Sequence, residues 1–474
     1  MLVHQAFRFE LDPNNRTRAA LSSHAGASRF AYNWGLALVK ARLEQREQVR
    51  RAALRELLPD GDVERLARTI DVPWNLPALR KEWNREKAET APWWVANSKE
   101  AYSSGLDALA RALEGWSKSR AGARAGTVGF PRFKKKRVRK SCRFTTGAIR
   151  VRDDRHVQLP RVGVVRVKEQ TGKLRELLDT GRARICSATV SEQTGRWFVS
   201  FTCELERTDA PARLPDAVVG VDLGVKVLAA LSTGELVANP KVLGRYERKM
   251  ARLSREQSRR QKGSKRRRQT RAKLARCHAR VANTRRDALH KLTSALASNY
   301  GTVVVEDLNV AGMTAAPKPR PEADGGHAHN GRRAKAGLNR AVLDVSPAEL
   351  RRQLTYKLAW RGGTLVVADR FFPSSKTCSS CRETKTKLSL ATRTYRCEHC
   401  GLETDRDLNA ALNLAAYGRR VLEESHHVAG SGPETVNARG GGHPRHLPKP
   451  PVKREDGTAR ADKAVTASSQ GEAA

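Results

Sequence analysis

Val219-Gly-Val-Asp-Leu-Gly-Val225 reads as a buried strand that closes on a carboxylate. Residues 217–222 supply the apolar run, Gly224 turns the chain, and 227–231 return as a partner strand, with a second turn from 232 to 234. Two other stretches repeat the theme. Val303-Val-Val-Glu306 ends a strand expected over 302–306 on an acid and continues as Asp307-Leu-Asn309. Asp405-Arg-Asp-Leu-Asn-Ala-Ala-Leu-Asn413 places Asp407 where a helix begins, expected to run to about Tyr417. A carboxylate closing an aliphatic strand is costly to bury unpaired. Three that converge repel one another unless a cation sits between them. Asp222, Glu306 and Asp407 are therefore candidate metal ligands, of the kind that holds two Mg2+ ions with open positions for a phosphodiester and a water. Each acid taken alone also reads as a turn or cap residue, and for Asp407 the helix N-cap is the rival role.

Between the second and third acids lies Cys378-x2-Cys381-x15-Cys397-x2-Cys400. Two such knuckles bring four thiolates around one structural Zn2+, each knuckle giving two ligands from a tight turn. A redox role suits one CxxC, not two. With all four positions filled by sulfur, this zinc holds a loop and does not catalyse. The cysteines at 142, 186, 203 and 277 stand alone and read as small buried apolar residues.

Working outward, residues 245–286 form a polar helical stretch broken at Gly263, with 18 Lys or Arg among 42 residues and two acids. That imbalance leaves little for pairing within the helix and points to phosphate. Helix continues over 288–300 and returns over 347–361, where Leu350, Leu354 and Leu358 share a face; a third buried strand is expected at 364–368. Towards the N-terminus, residues 3–11 alternate like a strand, and 14–119 are helical, broken by Pro73, Pro77 and Pro92. Short strands are expected at 149–151, 156–159, 162–167, 188–191 and 197–201, which a small β-barrel completed by the first strand would accommodate. The basic loop 126–143 carries Phe130 and Phe133 among Arg132, Lys134, Lys135 and Lys136.

Composition agrees with a nucleic-acid partner. The 474 residues allow two to four domains. The formal net charge is +41, from 90 Lys and Arg against 49 Asp and Glu. Self-repulsion of that size calls for a polyanion. A membrane surface would need an apolar anchor, and no run of eighteen apolar residues exists. The first twelve residues lack a signal peptide's apolar core, and eight cysteines in two CxxC pairs and four singletons are no disulfide framework. The expected location is the cytoplasm.

These motifs resemble the TnpB family of insertion-sequence proteins, which the compact type V CRISPR effectors also resemble. The stretch 220–417 is similar to that family's split RuvC-type nuclease domain, through the three acidic motifs and Phe372-Pro-Ser-Ser-Lys-Thr-Cys-Ser-Ser-Cys381. Arg29-Phe-Ala-Tyr-Asn-Trp34 and Gly129-Phe-Pro-Arg-Phe-Lys134 extend the resemblance to the N-terminal half, so that it covers about 1–420. Arg382 departs from it, standing where the family commonly has Gly after the first knuckle.

The resemblance implies an α+β multidomain protein whose RNase H-like nuclease domain is split by a zinc ribbon. In chain order it would have a first barrel strand (1–13), a helical recognition lobe (14–125), a β-barrel (126–214), a nuclease segment with the basic helices (215–313), a further nuclease segment (339–372), the ribbon (373–404) and the closing nuclease segment (405–423). The insertion 314–338 and the tail 424–474 are extra to the family, and their composition reads as disordered. Asp222, Glu306 and Asp407 would bind catalytic Mg2+, with Asp405 the alternative third acid, and the four cysteines one structural zinc. The implied activity is RNA-guided cleavage of target DNA beside a short flanking motif, with a guide RNA as partner. Tyr32, Trp34, Phe130 and Phe133 are candidates for stacking on bases, and Arg132, Lys134, Lys135 and Lys136 for phosphate contacts. A CRISPR effector, a transposase joining DNA ends and a nuclease-dead DNA-binding protein stay open as alternatives.

Overall fold

The alternating N-terminal run forms β1 (Leu2–Asp12), which ends by burying Phe9, Glu10 and Leu11. Glu10 is buried with its charge met by Lys168 at 2.9 Å and Arg196 at 2.8 Å. The computed structural model describes residues 1–429, apart from 125, 137–139, 208, 320, 323–325, 327, 329 and 390.

Four helices follow: α1 (Asn15–Arg55), α2 (Asp60–Arg68), α3 (Leu76–Thr90) and α4 (Lys99–Arg120), with a 3-10 turn at Pro92–Ala96. The breaks follow from local chemistry. Asn14, Asn75 and Ser98 cap α1, α3 and α4 with their side chains, and Pro77 sits in the first turn of α3, where its missing N–H costs nothing. Helices α1 and α4 touch backbone to backbone at Gly105, where a Cβ would lie 2.0 Å from the Ser28 carbonyl oxygen.

The chain then makes β2 (Ser141–Phe144), β3 (Arg150–Asp153), β4 (His156–Leu159), β5 (Gly163–Val167), α5 (Gly172–Asp179), β6 (Ala183–Gln193) and β7 (Arg196–Glu206). With β1 at its centre, a seven-stranded antiparallel sheet forms in the order β2-β6-β7-β1-β5-β4-β3. The N-terminal strand thus joins the strands of 126–214 as expected. The pairings among the described residues run from β2 to β3 without closing a ring. The sheet and the helices share one core, in which Leu106 and Leu109 of α4 cluster with Phe144 and Phe201.

A second sheet follows from β8 (Leu214–Leu223), β9 (Val227–Leu231) and β10 (Leu236–Ala238). Two basic helices, α6 (Val242–Arg259) and α7 (Lys265–Asn299), lead to β11 (Tyr300–Glu306). Next come α8 (Val310–Met313), α9 (Arg332–Val345), α10 (Pro347–Trp360) and β12 (Thr364–Ala368). The order is β10-β9-β8-β11-β12; β9 and β10 are antiparallel, and β8, β11 and β12 run parallel. Such fully buried parallel strands read as unbroken aliphatic runs. Val219, Val221, Val303 and Val305 face α7 and α10, while Val304, Val366 and Leu414 cluster on the other face.

The ribbon hairpin β13 (Thr394–Arg396) and β14 (Glu403–Asp405) delivers the chain to α11 (Arg406–Ala429). Two expectations change. The insertion 314–338 is not structureless throughout: α9 starts at Arg332, because Arg332-Arg-Ala-Lys-Ala are good helix formers once the Pro- and Gly-rich stretch has ended. Of the tail expected at 424–474, residues 424–429 continue α11 and the rest lies outside the described residues. Among the described residues no helix is long and apolar enough to cross a membrane.

Candidate functional site

Strand register brings the first two acids together. Val219 pairs with Val303 and Val221 with Val305 across parallel β8 and β11, so Asp222 and Glu306 leave neighbouring strands at one level. Side chains alternate, which puts both acids on the face opposite Val221 and Val305. That face receives α11. The helix comes close because Gly220 has no side chain: a Cβ there would sit 2.0 Å from the Ala411 carbonyl oxygen and 2.6 Å from the Ala415 nitrogen. Gly418 is the reciprocal gap, with a Cβ position 2.3 Å from Val304 Cγ2. One turn before Ala411, Asp407 projects beside the strand end. Its Oδ2 lies 3.8 Å from where Gly224 would carry a Cβ.

The rival roles of the two C-terminal acids separate here. Asp405 Oδ1 accepts the backbone N–H groups of Asp407 at 2.9 Å and Leu408 at 3.1 Å. Asp405 is thus the helix cap, and the cap role considered for Asp407 falls away. The Asp407 carboxylate instead meets the Arg406 guanidinium at 3.0 Å. Burial, then the nearby charges of Glu306 and Asp407, push Asp222 up to about 8. A divalent cation among these oxygens would reverse that repulsion. The donor set is all oxygen, which suits a hard ion such as Mg2+.

The segment after β12 reaches back to this site. Ser374 Oγ donates to Glu306 Oε1. Its own loop is fixed by two buried asparagines of α11. Asn413 Nδ2 donates to the carbonyls of Ser374 at 2.8 Å and Thr377 at 2.6 Å, and Asn409 Nδ2 donates to Thr377 at 2.7 Å. Asn409 Oδ1 accepts from the Ser379 N–H at 2.9 Å. Ser374, Asn409, Asn413, Arg406 and Gly220 hold or make room for the acids and the loop beside them, positions to which the motifs alone assign no part. The signal for the asparagines was available: Asn-Ala-Ala-Leu-Asn sets two amides one turn apart on an otherwise apolar helix face.

The four cysteines converge as expected. Their sulfurs all lie within 4.8 Å of one another, with Cys378–Cys400 and Cys381–Cys397 at 3.6 Å. Tetrahedral Zn–S bonds of about 2.3 Å require sulfurs about 3.8 Å apart, so the set fits a zinc ion. Backbone N–H groups favour the thiolate form: that of Leu402 brings Cys400 down to about 6, and that of Cys400 lowers Cys397. Each knuckle needs a left-handed residue, Arg382 at φ 68° and Gly401 at φ 73°. Arg382 therefore occupies a conformation that glycine takes freely, and its guanidinium donates to Asn413 Oδ1 at 3.0 Å. Of the remaining cysteines, 142, 203 and 277 are buried as expected and Cys186 is half-buried.

The candidate base-stacking residues divide. Tyr32 is only 5% exposed and Lys134 Nζ covers its ring at 3.7 Å, so it is a core residue and not a stacking platform. It lies on the face of α1 turned towards the core. Trp34 is half-buried edge-on to Trp83 at 5.1 Å, and Phe130 edge-on to Trp116 at 5.0 Å. Phe133 is exposed, as are Arg132, Lys135 and Lys136. Asn33 holds Lys134 at both backbone groups, at 2.8 and 3.1 Å, which docks the basic loop on α1. The basic helices α6 and α7 enclose a groove of about 870 Å3 lined by Arg196, Lys249, Arg252, Lys273, Arg276 and Arg280.

Comparison with known proteins matches this frame. Residues 200–316 match a family model described as "Probable transposase", 348–414 one described as "Cas12f1-like, TNB domain", and 1–48 one described as "Helix-turn-helix domain". In this chain 1–48 form β1 and most of α1. "Putative RNA-guided DNA endonuclease Rv2885c" of Mycobacterium tuberculosis is 40% identical over 429 residues, 87% of this chain and 86% of that protein. "Putative RNA-guided DNA endonuclease InsQ" of Escherichia coli is 31% identical, over 88% of this chain and 93% of that protein. A solved Cas12f1–sgRNA–target DNA complex aligns at TM-score 0.46 and 13% identity, covering 87% of this chain and 99% of that one. With identity of 40% maintained across most of both chains, this protein belongs to the TnpB family.

Proposed function

We propose that the chain is an RNA-guided DNA endonuclease of the TnpB type, with Asp222, Glu306 and Asp407 as its metal-binding carboxylates. The observation that carries this is the placement of three acids at the ends of β8 and β11 and the start of α11, near enough that the charges of Glu306 and Asp407 act on the buried Asp222, with the Gly220 gap admitting the helix. Bound Mg2+ ions, two in this reading, would supply the attacking hydroxide and stabilise the leaving 3′-oxygen. The protein's own role is positional. Ser374 holds Glu306, Arg406 holds Asp407, and Asp405 fixes the start of α11.

The second sheet with α7, α10 and α11 then serves as an RNase H-like nuclease domain split by a structural zinc ribbon. The helical lobe and the seven-stranded sheet, read as the small barrel, bind guide RNA and its duplex with target DNA. The basic groove between α6 and α7, with Arg132, Lys135, Lys136 and Phe133, offers phosphate and base contacts. Relatives named as RNA-guided DNA endonucleases support both partners, and their bacterial sources support a cytoplasmic place on the nucleoid.

The experiment is cleavage by purified ribonucleoprotein with single substitutions. Asp222→Ala, Glu306→Ala and Asp407→Ala should each abolish cutting and leave target binding within a few-fold. Asp405→Ala should retain measurable cutting with a less stable α11. Normal cutting by Asp222→Ala would overturn the site.

A further inference from the structure

Phe371 exposes 87% of its surface at the rim of the acidic site. β12 ends at Ala368, the register partner of Glu306, and the next residues form a tight, fixed loop. Asp369 Oδ1 accepts the Phe371 N–H at 2.8 Å, and the Asp369 carbonyl accepts the Phe372 N–H at 3.0 Å. Arg370 grips Asp307, the residue after Glu306, at 2.6 and 3.1 Å. Phe372 turns inward against Tyr417, with ring centroids 4.8 Å apart, and Ser374 bonds Glu306. One phenylalanine of the pair is spent on the core. The other is held out to solvent on a loop pinned from both sides, where it contributes nothing to burial.

A phosphodiester at Glu306 has cationic neighbours on one side, where Arg351 and Arg352 line a cleft of about 310 Å3 against α10. Phe371 stands at the same carboxyl end of the strands, on the loop that leaves β12 beside Glu306. From this arrangement we infer that Phe371 is a stacking platform for an unpaired base of the strand being cut, next to the scissile phosphate. The inference rests on the nuclease reading above. Paired bases are already stacked on their neighbours, so the ring discriminates for single-stranded DNA. Every base has a π-face, so stacking tolerates any sequence and leaves sequence choice to the guide.

The test uses the full-length protein with its copurified guide RNA and two readouts. In cleavage assays Phe371→Ala should slow cutting of an unpaired strand roughly ten-fold, the loss of one base–aromatic stack, and Phe371→Trp should restore it. Because no phosphate contact is removed, the salt dependence of binding should be unchanged. In the non-cutting Asp222→Ala background, a single-stranded oligodeoxynucleotide with 2-aminopurine beside the mapped cut should lose fluorescence on binding, and Phe371→Ala should abolish that quenching. Wild-type cutting with an equally active Phe371→Ala and unchanged quenching would overturn the stacking role alone. Absence of any cutting by the wild type would overturn the nuclease reading and the stacking role with it.

Discussion

Asn413 Nδ2 donates to the Thr377 carbonyl at 2.6 Å, tying the fully buried face of α11 to the turn that begins the zinc ribbon. Through this bond the helix that carries Asp407 and the loop that holds Glu306 become one unit. Asn413→Ala leaves the buried Ser374 carbonyl, the half-buried Thr377 carbonyl and the Arg382 guanidinium without this partner. We expect a loss of about 2–3 kcal/mol in chemical denaturation and a clear drop in cutting. Zinc should stay at one ion per chain by elemental analysis, since all four thiolates remain. Cys378→Ser should instead lower zinc content. If Asn413→Ala lost zinc as completely as Cys378→Ser, the ribbon would not be held by its sulfurs.

Gly220 allows α11 to meet β8. Gly220→Ala drives a methyl group into the backbone of Ala411 and Ala415, where no flexible side chain can give way. The expected cost is roughly 3 kcal/mol or more, with lost cutting from displacement of Asp407. Gly61 in α2 has nothing within 4 Å of its Cβ position, so Gly61→Ala serves as the control and should stay within about 1 kcal/mol of wild type. Equal thermal midpoints for the two variants would contradict the close approach.

Arg382 holds a left-handed backbone that costs a non-glycine residue about 1–2 kcal/mol. Removing the side chain also removes its bond to Asn413. Arg382→Ala keeps the strain and loses the bond; Arg382→Gly loses both. The glycine variant should therefore be more stable than the alanine variant by about 1 kcal/mol. Denaturant titration of the two proteins decides it, and the reverse order would show that the left-handed backbone at position 382 carries no such cost.

His24 supplies a pH dependence. Its Nδ1–H donates to the Ala20 carbonyl at 2.8 Å, and Nε2 accepts the Ser98 N–H at 3.1 Å, so the ring is held neutral. Burial lowers its pKa below the ordinary 6.5. Protonation is thus easier in the unfolded chain. The contribution is fully present above about pH 6.5 and declines as pH falls below it. Thermal midpoints measured from pH 8 to 5 should fall for the wild type, and His24→Gln should remove some of that slope. Parallel curves for the two proteins would exclude His24 as a source.

Much of the site was legible in the sequence because burial is expensive for charge. Asp222 and Glu306 close aliphatic runs, and the two CxxC pairs have a spacing with one good explanation. The cap role of Asp405 was not legible, because it depends on α11 starting at Arg406, and a helix start is uncertain by a residue or two from sequence. Tyr32 misled because an aromatic on an amphipathic helix has the same spacing whether it faces the core or a ligand. Helix α5 and strand β10 were missed because eight and three residues are too short to show a period. Gly220 looked like any strand glycine until α11 was laid across it.

The central claim is that this chain cuts DNA chosen by an RNA. Coexpressed with its native flanking DNA, the protein should copurify with one defined RNA whose variable end matches the cut site. The deciding measurement changes only that variable end and maps the cuts on DNA carrying the new complement beside the flanking motif. Cutting should move to the new site and vanish in Asp222→Ala. Cutting that ignores the change, or continues after RNase treatment, would contradict the account and leave an unguided metal-dependent nuclease.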